Sequence, residues 1–138
     1  MAKMVLKAAY LALNGVDRSS WCNKIELTAE VEEKEITTFA SLGWREVLGG
    51  IASGQLALAF RNDVDAGQLD ETMWALFTAG SLVTFEVRAS NAPVGTSNPK
   101  YTGNVLVKEW KPIVGNVGDV NELDVTFPTS GPITRATS

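Results

Sequence analysis

Acid–base chemistry in this chain would have to come from carboxylates. The 138-residue sequence has no histidine and a single cysteine, Cys22. That removes the commonest general base, the usual zinc ligand sets and any disulfide within the chain. Two carboxylates converging in a cleft would suit glycoside hydrolysis, and Glu26, Glu30, Glu46, Asp63, Asp65 and Glu86 are the candidates. Nothing in their spacing brings any two together, so neither an enzyme nor a cofactor or metal site is expected. Gly49-Gly50 and Gly54 lack the Gly-Lys-Ser/Thr ending of a phosphate loop and read as loop hinges. Cys22 has only Lys24 as a basic neighbour, so its thiol is expected to be buried or idle.

The carboxylates do form a pattern. From Lys24 to Glu32 apolar and polar residues alternate without a break, which is the period of a β-strand. Ile25, Leu27, Ala29 and Val31 are expected on a core, with Glu26, Thr28, Glu30 and Glu32 in water. Five carboxylates fall between Glu26 and Glu35, opposed by Lys34 alone. Like charges this close cost stability unless water or a purpose tolerates them.

The rest of the composition describes a globular domain. At 45% hydrophobic and 20% charged residues, 138 residues suffice to remove roughly 70% of the unfolded surface from water. A formal charge of −4 without a basic cluster argues against phosphate binding as a source of affinity. No apolar run approaches the ~20 residues of a bilayer helix, so no membrane association is expected. Lys3 and Lys7 before Ala8 to Leu13 superficially resemble a secretory leader, but the apolar run is short and reads as part of a first strand. A cytoplasmic setting suits the lone thiol.

Further elements follow along the chain. A first strand from about Met4 to Leu13 meets the turn dipeptide Asn14-Gly15, and the acidic strand runs to about Thr38. Phe39 to Gly54 lacks strand periodicity and reads as a long loop, whose Trp44, Val47, Leu48 and Ile51 are too apolar to stand in water. They must pack within the subunit or on a neighbour. Gln55 to Arg61 alternates as a strand. Leu69, Met73, Leu76 and Phe77 mark a helix, opened by a capping box of Asp65 with Gln68 and ended at Gly80. Its apolar stripe, and Trp74 with it, are expected in the core.

Two strands, Ser81 to Arg88 and Tyr101 to Trp110, flank a breaker-rich link, and Leu123, Val125 and Phe127 mark the last strand. Pro128 to Ser138 is polar and reads as a tail or an arm that orders on a partner. Six to eight strands around one helix imply a mainly β fold, a β-sandwich or partly closed barrel with the helix flanking it. Residues 1–138 form a single domain with a short N-terminal arm and an extended C-terminal arm from about residue 128.

The order of these motifs resembles the small tail tube proteins (major tail proteins) of long-tailed bacteriophages, chiefly those of actinobacterial hosts. The likeness spans nearly the whole chain. It rests on Asn14-Gly15-Val16-Asp17, Glu35-Ile36-Thr37-Thr38-Phe39, Gly43-Trp44-Arg45-Glu46 with Gly49, and Asp70 to Leu76. It continues through Phe85 to Asn91, Ser97-Asn98-Pro99-Lys100-Tyr101-Thr102-Gly103, and Val125-Thr126-Phe127-Pro128 with Gly131 before Thr134 to Thr137.

The resemblance implies hexameric rings that stack into a hollow tail tube, a conduit for DNA ejection in which strands of six subunits form one barrel. The chain would then be a structural virion protein, assembled in the host bacterial cytoplasm. Its partners would be itself and the tape measure, terminator and tail tip proteins, with DNA passing unbound. The long loop maps to the subunit and ring interface through Phe39, Leu42, Gly43, Trp44, Arg45, Glu46, Val47, Leu48 and Ile51. The C-terminal arm would make contacts through Pro132, Ile133 and Arg135. Glu26, Thr28, Glu30 and Glu32 are candidates for the lumen lining, because carboxylates repel phosphates where lysines would bind them. Alternation establishes that this face is wet and leaves open whether it meets the lumen or the outside. Alternatives are a tail terminator, completion or head-decoration protein, which would not polymerise into tubes, and a ligand-binding β-sandwich with exposed tryptophans.

Overall fold

A computed structural model describes residues 3–138; Met1 and Ala2 of the expected N-terminal arm lie outside the described residues. The strands in chain order are β1 (Tyr10–Leu13), β2 (Val16–Asp17), β3 (Cys22–Glu35), β4 (Val47–Arg61), β5 (Leu82–Arg88), β6 (Lys100–Leu106) and β7 (Glu122–Ala136), with helix α1 (Leu69–Ala79) between β4 and β5. All pair antiparallel in one open sheet of order β2-β1-β5-β6-β7-β4-β3. The expected mainly β fold with one flanking helix is what forms.

Strand β7 is the seam. Its first half, Glu122 to Pro128, pairs with β4, and its second half, Thr129 to Ala136, pairs with β6. The sheet folds over this strand so that both halves present alternate residues to one core. Leu56, Leu58, Phe60, Leu123, Val125 and Phe127 come from one half and Leu11, Leu13, Val83, Phe85 and Val105 from the other. Period-two alternation is why each strand supplies every second residue. Helix α1 adds Leu69 and Met73, both fully buried.

Polar bonds fix the helix to the segments that follow β2, β4 and β6. Asp70 Oδ1 accepts from Trp110 Nε1 at 2.9 Å and from Asn62 Nδ2 at 3.1 Å. Buried Arg18 donates from one Nη to Thr72 Oγ1 at 2.9 Å, and loss of water lowers its pKa below the usual guanidinium range. Gly80 ends the helix at φ 68°, as expected of a C-cap glycine. Asp65 does not cap it. The cap residue is Gln68, without a side-chain bond, while the Asp65 amide donates to Asp63 Oδ1 in the preceding turn.

Three further expectations are corrected. Met4 to Ala9 is not strand, and β1 begins only at Tyr10. The expected loop from Phe39 to Gly54 is loop only as far as Glu46; Val47 to Gly54 belongs to β4. Pro128 to Ala136 is no loose tail, since β7 runs through it and Thr134, Arg135 and Ala136 pair with Thr102, Tyr101 and Lys100. The expected core position of Trp74 also fails, because its ring is half exposed and tilted against Phe77 at 5.3 Å.

Candidate assembly interface

Strands β3 and β4 form a hairpin longer than the body that carries it. Near the body, Ile25↔Leu58 and Leu27↔Leu56 pair beside the core. From Val31 on β3 and before Gly54 on β4 every residue is exposed, so the outer half of the hairpin stands in solvent on both faces. Val31, expected on a core, is exposed for this reason, and Ala29, expected there too, is exposed at the border of this outer half, opposite Gly54. The pairing continues through Val31↔Ala52 to Glu35↔Val47, with a register shift between Val31 and Glu33. That shift places one extra β4 residue at Gly50–Ile51, a β-bulge that exchanges the faces of β4 beyond it. Ladder hydrogen bonds rather than a hydrophobic core hold this arm.

The tip is folded by its own polar groups. Thr37 Oγ1 accepts from the Glu46 amide at 2.9 Å, and the Ile36 amide donates to the Glu46 carbonyl at 3.0 Å. Thr38 and Ser41 form a reciprocal capping box around a turn of 3-10 helix over Phe39–Ser41. Leu42 follows in the left-handed region at φ 53°, and Gly43 has φ 85°. A left-handed leucine is unusual, since its Cβ crowds the backbone there. The result is a fixed knob that turns Phe39, Leu42 and Trp44 outward, with Trp44 79% exposed. Arg45 pairs with Glu33 and Lys34 with Glu32. Val47, Leu48 and Ile51 are exposed along β4 below the knob.

The acidic face lies as the alternation requires. Glu26, Thr28, Glu30 and Glu32 are on β3, an edge strand of the sheet, with Lys24 3.8 Å from Glu26. Across the register this face reads Glu26–Ala57–Thr126 and Thr28–Gln55–Pro128, so uncharged residues continue it at these positions. The other candidate carboxylates are dispersed. Glu46 is at the hairpin tip, Asp63 and Asp65 lie past the far end of β4, and Glu86 on β5 sits 3.1 Å from Arg88. No group of three metal-ligating side chains occurs among the described residues. Half-buried Cys22 donates its thiol to the Lys24 carbonyl at 3.1 Å, and burial pushes its pKa up.

At the hairpin base lies a feature the alternation did not disclose. Ile25 and Leu27 are only half buried because, with Leu6, Tyr101 and Ile133, they line an open apolar cavity of about 510 Å³ that is lined as well by Arg88 and by exposed Arg135. Arg135 Nε donates to Tyr101 Oη at 3.2 Å, and the Arg88 guanidinium lies 4.0 Å from the Tyr10 ring centre. Of the expected C-terminal contact residues, Ile133 and Arg135 thus face this cavity, while exposed Pro132 lines the adjoining cleft with Gly131. The apolar members were visible in the sequence. Their convergence depends on β7 crossing from one half of the sheet to the other.

No protein family and no curated protein matches this chain. Among the described residues no helix is long and apolar enough to cross a membrane. Among solved structures, a chain of the virion of a native gene transfer agent particle superposes with a TM-score of 0.77 at 16% identity, covering 97% of this chain and 99% of that one. A chain from the tail of an empty gene transfer agent particle of C6 symmetry superposes with a TM-score of 0.71 at 17% identity, covering 92% of each. At these identities the likeness is one of fold, and it extends over nearly the whole chain.

Proposed function

We propose that this chain is a tail tube subunit: a structural virion protein that closes into hexameric rings, stacks them into a hollow tube and so lines the path of DNA. The observation that carries this reading is the prebuilt knob of Phe39, Leu42 and Trp44 at the end of an arm exposed on both faces. Large apolar side chains fixed outward mark a surface that is covered in the working assembly. The fold shared with a chain from a C6-symmetric tail supports the same conclusion. A knob and its receptor at different places on one molecule make a head-to-tail contact, which closes rings or extends stacks according to the rotation it imposes.

The edges of the sheet fit this role. β3 presents a long unpaired edge and β2 covers only two residues of the other. Carboxylates on β3 oppose pairing of free subunits, and ring closure uses the edge. In the assembled tube Glu26, Thr28, Glu30 and Glu32 face the lumen, where their repulsion acts within about 8 Å of the wall and prevents adhesion of DNA. No catalytic step is involved. The tape measure, terminator and tail tip proteins are the partners this role requires.

Electron microscopy of the purified protein over a concentration series tests the reading. Hollow tubes or stacked six-fold rings support it. Isolated rings that never stack would instead indicate a terminator or completion protein, and a monomer at all concentrations, even with tail initiator proteins added, would refute self-assembly.

A further inference from the structure

We infer that the cavity at the hairpin base is the receptor for the hairpin tip of a second copy of this chain. This rests on the reading of the chain as a self-assembling subunit and names the two surfaces that meet.

The chain's own tip is held away from the cavity. Ala29 lines the cavity and begins the projecting part of the arm, which stays paired from Ala29↔Gly54 to Glu35↔Val47. Six strand steps of ~3.3 Å place the start of the tip roughly 20 Å away along a paired ladder. An occupant with the tip's chemistry must therefore come from another molecule.

Size and polarity match. A volume of about 510 Å³ lies within the roughly 300–1,000 Å³ of pockets that enclose compact ligands, and its lining is mostly apolar, as two aromatic rings and a leucine require. Charge matches as well. Among the described residues Arg135 has no carboxylate within 4.0 Å, and at the tip Glu35 and Glu46 have no cation within that distance. Seating the knob would bring these unpaired groups of opposite sign together at the cavity, where complementarity fixes orientation.

The contact also sets a spacing. When the tip of one copy fills the cavity of the next, the displacement between neighbouring cavities equals the distance from cavity to tip within one chain, whatever the rotation. That distance is roughly 20–30 Å along the arm.

Cysteine cross-linking tests the pairing. In a Cys22→Ser chain, Leu42→Cys places a thiol on the tip and Leu27→Cys one in the cavity; a disulfide needs Cα atoms within about 7 Å. Under mild oxidation the doubly substituted chain should give a ladder of covalent oligomers, whereas either single substitution should stop at dimers. If Leu27→Cys does not fold, Arg135→Cys in the cavity lining replaces it. Tubes that form without a ladder overturn the inference and leave the tube reading standing; chains that neither assemble nor cross-link defeat both. Arg135→Glu should raise the concentration needed for assembly at least tenfold, and a folded variant assembling like the parent would also overturn it.

Discussion

Replacing Trp44 by alanine separates the assembly role proposed for the hairpin tip from its fold. The indole is 79% exposed and no tip hydrogen bond uses its side chain, so the isolated subunit loses almost nothing. Exposed substitutions of this kind stay within about 0.5 kcal/mol. Covered by a neighbour, the ring would remove roughly 150–200 Å² from water, which at ~25 cal/mol/Å² sets an upper bound of about 4–5 kcal/mol per contact. Interface tryptophans typically realise about 2–4 kcal/mol of such a bound. Even the lower figure weakens each contact about 30-fold. The assay pairs a thermal melt of the dilute subunit with the critical concentration for assembly from light scattering and sedimentation. An unchanged melt with a critical concentration raised 30-fold or more is the expected result. An unchanged critical concentration would refute the assignment of the tip to an interface, and a collapsed melt would show that the ring supports the hairpin instead.

Other perturbations probe other surfaces. Glu26→Lys with Glu30→Lys puts cations on the acidic face, and tails built from it should retain nuclease-resistant DNA after ejection is triggered; free passage would mean that this face points outward. Gly54→Ala would bring a Cβ to 2.6 Å from Ile133 Cδ1 and 2.7 Å from the Thr28 carbonyl oxygen. Such overpacking costs about 1–3 kcal/mol, which calorimetry should read as a melting temperature lower by roughly 4–12 °C. The Cys22 thiol, its pKa raised by burial, holds less thiolate at pH 8 than an unfolded chain. Its alkylation should therefore be slow in buffer, speed up in denaturant, and in the native protein rise with pH only above the ordinary thiol range.

Where local pattern and final contacts agreed, the sequence was readable. Val83, Phe85 and Val87 alternate and are buried in β5, and Leu69 and Met73 sit at helical spacing and close the core. Where long-range pairing overrides local signals it was not. Gly49, Gly50 and the bulge at Gly50–Ile51 break the alternation of β4, so a strand held by β3 reads as a loop. Pro128, Gly131 and Pro132 read as the end of structure, yet pairing with β6 resumes beyond them after a register shift between Thr102 and Asn104. The acidic strand disclosed its faces and not that its outer half has no core beneath it. Of the knob residues, Trp44 was singled out by its apolarity and Phe39 and Leu42 through the family resemblance; the capping box and left-handed Leu42 that fix them outward became visible only with the fold.

The seam strand β7 gives the subunit a mechanical character. Its backbone is hydrogen-bonded to β4 over Gln55 to Arg61 and to β6 further along, without a break in the chain between. Antiparallel ladder bonds lie across the strands. A pull on the hairpin directed along β4 therefore loads the β4–β7 ladder in shear, and its bonds must yield together instead of unzipping one by one. Tension arriving through the arm passes along one covalent strand into the opposite half of the sheet, so an object made of many such subunits can stretch or bend at its contacts while each domain stays stiff.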